Sequence, residues 1–357
     1  MLGYNIRMYF RNLEEPPKSI IKNRKALFGS YNDICSKLDI KGMRAPYAGI
    51  PLPSFLSNLR IKSRLNYVFA TKNYMGFTEF FDFKLIGLSR LIFWSKENGK
   101  KYAYFCFMPL RRRFIPISTQ AGTCTSFRKK RYIKVFWGKQ HQQLAMRFDV
   151  KGDGVRPNCT ASFFSSKYSE YHTDTLFVNP APVSSRCSAT WFTTMQISGK
   201  IMIDGELCDD SKGLACMMVN RTYLNLHSLS TFIWAVGNAG KKNVVLQLKN
   251  SNLDAADNDT YNDNILIVDG KQTALPPVYM THSFGINKDW IIQDTESMVD
   301  LTFTPLSLDN NVRNLIVIRT SYTSIYGHLS GVLLDKNGEK IVLKNFPSII
   351  NRNLIRL

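Results

Sequence analysis

Apolar and polar residues alternate along most of this chain with a period of two, the spacing that places successive side chains on opposite faces of a strand. Residues 264–305 show the pattern best. Ile265-Leu266-Ile267-Val268 runs into Asp269-Gly270, a dipeptide suited to a two-residue type I′ turn because both central residues need positive φ. The return strand, Lys271 to Leu275, stops at Pro276-Pro277. After Asp289-Trp290-Ile291-Ile292-Gln293-Asp294, the residues Val299, Leu301 and Phe303 alternate with Asp300, Thr302 and Thr304, as in a sheet wet on one face.

The same grammar extends in both directions. Leu65 to Ala70 and Gly76 to Phe81 read as short aromatic-rich strands, and Leu88 to Trp94 and Tyr102 to Met108 flank Glu97-Asn98-Gly99. Tyr132 to Trp137 and Gln143 to Phe148 follow, closed by Lys151-Gly152-Asp153-Gly154 as a turn or linker. Further on, Trp191 to Ser198 and Lys200 to Ile203 lead into Asp204-Gly205. Thr231 to Val236 and Asn243 to Leu248 flank Asn238-Ala239-Gly240, and Val332 to Leu334 returns as Ile341 to Leu343 across Asn337-Gly338.

Short antiparallel strands so closely spaced build a sandwich or a barrel, and closure removes exposed edges. The expected fold is all-β: two antiparallel β-barrels packed together behind an irregular N-terminal leader. Pro16, Pro17, Pro46, Pro51 and Pro53 keep residues 1–60 out of any long helix or central strand, leaving one helical turn around Tyr31 to Leu38. Residues 61–155 then form a first barrel half, 156–345 a second, and 346–357 a tail. One internal echo links the halves: Leu88-Ser89, Ile92 and Gly99-Lys100-Lys101 recur at the same spacing as Leu229-Ser230, Ile233 and Gly240-Lys241-Lys242. It reads either as the trace of a duplicated barrel or as shared hairpin grammar.

Charge changes the picture more than composition does. The net charge is +20, and residues 1–150 hold 28 Lys and Arg against 8 Asp and Glu, whereas 151–357 hold 19 of each. The densest runs are Arg111-Arg112-Arg113 and Arg128-Lys129-Lys130-Arg131, with Lys134 close behind. Such runs attract an anionic membrane or nucleic acid, or simply form a solvated rim. The seven cysteines are scattered without a C-x-x-C pair, which argues against a disulfide framework or zinc site and for a reducing compartment. No apolar run is long enough to span a membrane and residues 1–12 carry no secretory pattern, so the expected address is cytoplasmic.

Candidate chemistry is sparse. His141, His172, His227, His282 and His328 show no metal-ligand spacing, and no phosphate-binding loop or nucleophile elbow occurs, so neither metal nor cofactor is expected. Asp254, Asp257, Asp259 and Asp263 lack the glycine and terminal glutamate of a calcium loop and read as a solvated loop. The best ligand-pocket candidates are Arg221, Tyr223, His227 and Trp234. An arginine beside aromatics in a barrel mouth can fix an anionic head group while the barrel holds an apolar body. It can equally tie loop carbonyls at a barrel corner.

Asp263 to Lys271, Val299 to Pro305 and Tyr326-Gly327-His328-Leu329-Ser330-Gly331 resemble, in order and spacing, the N-x-x-x-x-D-G-K, V-D-L-x-F-x-P and G-x-x-S-G segments of the family called domain of unknown function 2804. Arg60 to Tyr67 is similar to its basic-then-aromatic segment, and Phe81-Asp82, Pro109-Leu110, Ile115-Pro116 and Gly122 match further positions. The resemblance implies paired lipocalin-like barrels, like those of carotenoid hydratase and AttH-type proteins, with an apolar ligand cavity. The family's D-x-G-R-G and P-Y elements are replaced here by Met217 to Thr222 and Leu224 to His227, which keep only Arg221 and the later Trp234. Its C-terminal E-x-H is replaced by Phe346 to Arg352. These departures point to a non-catalytic member.

The leading expectation is therefore a binding module for an apolar or lipid-like ligand, with a basic face toward anionic surfaces. The rivals are an enzyme of hydratase or isomerase type on an apolar substrate, and a nucleic-acid binder using Phe114, Phe127 and Tyr132 beside the basic runs. Two facing titratable groups in the pocket would favour catalysis; a pocket without them would favour binding.

Overall fold

The computed structural model describes residues 9–43, 53–83, 86–109, 115–138, 143–166, 171–223, 225, 227–314 and 319–356. Three short strands, β1 (Ile21–Lys22), β2 (Lys25–Ala26) and β3 (Gly29–Tyr31), and a six-residue helix, α1 (Ser54–Leu59), precede the main sheets. The first sheet then takes β4 (Ile61–Ala70), β5 (Tyr74–Asp82), β6 (Ile86–Ser95), β7 (Lys101–Pro109), β8 (Ala121–Arg128), β9 (Arg131–Gly138) and β10 (Gln143–Val150). It continues through β11 (Cys159–Ser166), β12 (Thr173–Pro180), β13 (Cys187–Ile203) and β14 (Glu206–Tyr223). The second holds β15 (His227–Ala239), β16 (Lys242–Ser251), β17 (Ile265–Val268), β18 (Lys271–Ala274) and β19 (Tyr279–His282). Its last strands are β20 (Trp290–Gln293), β21 (Val299–Asn314), β22 (Arg319–Leu334) and β23 (Lys340–Arg356).

Both sheets are antiparallel meanders, save that β11 skips β12 to pair with β13 while β12 pairs with β13 and β3. In each the last strand returns to pair with the first: β14 with β4, and β23 with β15. The result is an all-β fold of two antiparallel barrels, one nearly closed and one a half-barrel. The turn chemistry is as the dipeptides predict. Asp204 and Gly205 have φ of 50° and 88°, and Asp269 and Gly270 have 48° and 78°, the left-handed pair that a type I′ hairpin demands.

Three apolar layers hold the molecule. One fills the first barrel with Tyr67, Phe69, Phe80, Phe93, Trp137 and Trp191. Another lines the half-barrel with Leu246, Trp290, Leu301, Phe303 and Ile350. The third lies between them, where Phe77, Trp94 and Phe192 meet Phe232, Trp234, Tyr326 and Ile349. There Trp94 stacks on Tyr326 with ring centroids 5.7 Å apart, and its indole N–H donates to Ser307 Oγ at 3.2 Å. Because β4 and β5 separate the first barrel's interior from the interlayer, they are buried at every position instead of alternating.

Several expectations change. The sheets divide between Tyr223 and His227, not near residue 155, where the Lys151-Gly152-Asp153-Gly154 turn merely joins β10 to β11 of one sheet. Residues 346–356 are no tail but most of β23, the strand that closes the second sheet. No helical turn forms at 31–38: β3 ends at Tyr31, and Leu38 N–H donates to Ile117 O at 2.9 Å. The described leader packs down firmly, with Ile20, Leu38, Ile40 and Met43 in the first barrel's core, while Arg11 donates to the carbonyls of Asn262 (2.6 Å) and Asn264 (2.9 Å). The sequence echo falls on β6–β7 and on β15–β16, strands that are third and fourth in one meander but first and second in the other. It is hairpin grammar; the repetition of the fold lies in its topology.

Asp254 and Asp263 are not solvated loop residues. Both accept from Lys249 Nζ, at 3.0 and 2.9 Å, and Asp263 also takes Asn179 Nδ2 (2.6 Å) and Thr190 Oγ1 (3.2 Å) from the first sheet. This ion cluster rivets the barrels together. Among the described residues no group of metal-binding side chains forms, and no helix is long and apolar enough to cross a membrane.

Candidate functional site

Strand geometry scatters the four ligand-pocket candidates. Odd-numbered residues of β14 face the first barrel's interior and even-numbered ones the interlayer, so Arg221 and Tyr223 sit inside the barrel with Met217 and Val219. Arg221 is buried and donates to Ser63 Oγ (2.9 Å) and to the carbonyls of Ile115 (2.8 Å) and Pro116 (2.9 Å). Burial lowers its pKa, and the charges of Asp39 and Asp82 oppose that shift. Tyr223 Oη donates to Ile40 O at 2.7 Å. Both therefore tie loops across the barrel end. Trp234 lies in the other sheet, stacked on Phe232 in the interlayer and donating to Gln247 Oε1 at 3.3 Å, and His227 is exposed at the start of β15.

The structure instead assembles a polar site where the interlayer's apolar packing ends. On β4 the residues facing the second sheet run Lys62, Arg64, Asn66, then Val68 and Ala70. Strand register sets Asn66, Glu79 and Arg90 in one cross-strand row, and Asn220, Arg64, Phe81 and Leu88 in the next. β23 contributes Asn351 and Asn353 from the opposing sheet. Charge has thus replaced hydrocarbon along one half of the barrel–barrel contact.

Glu79 is the hub. Its carboxylate bridges Arg64 Nε (3.2 Å) and Arg90 Nη2 (2.9 Å), all three side chains being buried. Arg90 also donates to Asn351 Oδ1 (3.1 Å) and lies over the rings of Phe77 and Tyr322, while Arg64 lies over Phe81. A carboxylate shared by two guanidiniums recovers much of their desolvation cost. No such partner serves Lys62. It is 8% exposed, and among the described residues no carboxylate or hydrogen-bond acceptor meets its ammonium. Burial first, and then the charge of Arg64, push its pKa down from 10.5 to about 7.

Two small voids flank the Arg64–Glu79–Arg90 triad. One, about 60 Å³, is lined by Lys62, Arg64, Phe81, Asn220, Phe232 and Asn353. The other, about 40 Å³, lies against Glu79, Arg90, Phe105 and Tyr322. The amide of Asn353 is buried with neither its oxygen nor its nitrogen hydrogen-bonded to protein. Buried amides rarely go unpaired, and this one lines the same void as Lys62. The voids have room for a few atoms and not for a whole drug-sized molecule. A larger hollow on the outer face of β10, β11 and β13 has only exposed charges, and there Lys200 and Asp210 already pair at 3.2 Å.

Of the anionic-surface candidates, Arg111, Arg112 and Arg113 lie outside the described residues. Arg128, Lys129 and Lys130 are exposed at the β8–β9 turn, and Arg131 and Lys134 are half-buried, Lys134 over the ring of Phe136. These cations line neither void, but Arg131 donates to the backbone carbonyl of Phe105, which lines the second one. Sequence reading passed over Lys62, Arg64, Glu79, Arg90 and Asn353. The one signal was the basic-then-aromatic stretch from Arg60 to Tyr67, whose alternation reads as a wet face when the strand is taken alone.

No curated protein matches the chain in sequence. Among solved structures the chain is similar to kievitone hydratase from Nectria haematococca, at 10% identity and a TM-score of 0.43, over 92% of this chain and 97% of that one. The family model for domain of unknown function 2804 matches residues 43–356, nearly the whole of both barrels, and the chain belongs to that family.

Proposed function

We propose that the protein is a binding module for a small amphipathic carboxylate. The head group sits between the barrels on Lys62, Arg64 and Asn353, and the apolar body lies outward along Phe81, Phe232 and Leu253. The carrying observation is that a largely buried lysine with no carboxylate partner among the described residues and an unpartnered buried amide line one void. A carboxylate there would restore charge to Lys62 and accept from the Asn353 amide. The chemistry is that expected of Arg221, moved to other residues.

Calorimetry with laurate at about pH 8, in two buffers of different ionisation enthalpy, tests this. Free Lys62 is mostly neutral at that pH, so binding should take up close to one proton, and Lys62→Met should abolish both the uptake and most of the affinity. Laurate binding without proton uptake, unchanged in Lys62→Met, would exclude the cleft.

A second reading, acid–base catalysis on the same class of molecule, is favoured by one observation, the near-neutral amine of Lys62. It needs a partner acid, and Glu79 is held between two guanidiniums. Recovery of an unsaturated carboxylate from the protein with one water added would establish it; recovery unchanged supports binding alone.

A further inference from the structure

We infer that one end of the first barrel docks on an anionic lipid bilayer. The surface is built by two neighbouring turns and shares no residue with the lining of the Lys62 void. Arg128 pairs with Arg131 across the β8–β9 turn, whose tip is Lys129-Lys130. Lys130 O accepts the Lys151 N–H at 2.8 Å, so the turn from β10 to β11 lies against that tip. The two turns, residues 127–132 and 151–156, bring Arg128, Lys129, Lys130, Arg131, Lys151 and Arg156 together. Their one acid, Asp153, lies 3.6 Å from Arg156 and 3.9 Å from Arg131. Asp204, on the adjoining β13–β14 turn, is occupied by the Asn158 N–H at 2.8 Å. Arg128, Lys129, Lys130 and Lys151 have no carboxylate partner among the described residues.

Within this cationic end stand two apolar side chains that the fold leaves uncovered: Val155, 93% exposed, and Phe127, 64% exposed. Cations that gain from a negative lipid surface, around apolar groups that gain from its acyl boundary, complement an anionic bilayer in both respects. Nucleic acid fits less well. Phe127 packs edge-on against Tyr132 with centroids 6.3 Å apart, and valine has no π-face on which a base could stack.

The test is co-sedimentation of the full chain with vesicles of phosphatidylcholine, alone or mixed with phosphatidylserine. Binding should require phosphatidylserine and weaken with salt. Charge reversal by Lys129→Glu with Lys130→Glu should weaken it at least about twentyfold, at roughly fivefold per lost cation. Val155→Asp should weaken it well beyond the roughly fivefold that its one added charge accounts for. All three side chains are exposed, so each variant should keep the wild-type urea midpoint. Equal partitioning onto both vesicle types, or full binding by the double reversal, would overturn the proposal. So would retention on single-stranded nucleic acid, and not on vesicles, with Val155→Asp acting as charge alone.

Discussion

Replacing Lys62 by Met should stabilise the fold at neutral pH, by an amount that shrinks as the pH rises. In the folded protein, burial and Arg64 bring the pKa of Lys62 from 10.5 to about 7. Below about pH 7 both folded and unfolded chains carry the proton, and the full cost of burying the charge is present. Between about pH 7 and 10.5 the unfolded chain holds a proton that the folded one has released, so wild-type stability rises with pH, by about 1.4 kcal/mol per unit. Across the whole window the shift corresponds to about 5 kcal/mol. Methionine keeps the length of the side chain and has no charge to bury. Other groups titrate nearby. Lys96, lowered by burial to about 8, acts in the same sense, whereas the buried thiols of Cys159 and Cys187, raised to about 11 and 12, act oppositely once unfolded cysteine ionises. Wild type and variant share these groups, so the difference between them isolates Lys62. Urea unfolding of both proteins, in steps from about pH 7 to 9, supplies that difference. It should be largest at the acid end and fall steadily. A gap that stays constant with pH would mean that Lys62 titrates like a solvated lysine, and the electrostatic reading of the cleft would fail.

Glu79→Gln strands two guanidiniums in the interlayer and should cost about 3–5 kcal/mol, read as a lower urea midpoint. Arg221→Met removes donors to Ser63, Ile115 and Pro116; it should cost about 1.5–3 kcal/mol and speed proteolysis around residue 115, while laurate affinity stays unchanged because the guanidinium lies inside the first barrel. A fall in affinity in that variant would return the head-group role to Arg221.

What the sequence determined by itself is local. Alternation across Val299 to Thr304 places Val299, Leu301 and Phe303 in the core and leaves Asp300, Thr302 and Thr304 exposed, because neighbouring side chains on a strand must point apart. Asp204-Gly205 and Asp269-Gly270 turn the chain because two consecutive positive φ values strain almost any other pair. Strand content, hairpin positions and the all-β class follow from such rules. Which face of a strand meets water is not local. Lys62, Arg64 and Asn66 alternate with Leu65 and Tyr67 just as Asp300 and Thr302 alternate with Leu301 and Phe303. On β21 the polar face is solvated; on β4 it is covered by the second sheet, where β15 lies against β4 and β23, from the far end of the chain, brings in Asn353. Only that packing desolvates Lys62, locks Glu79 between two arginines and turns an ordinary amphipathic strand into a buried polar seam. Arg221 shows the converse. Its residue type suggested a ligand, but the odd register of β14 turns it into the first barrel, where three protein acceptors already occupy it.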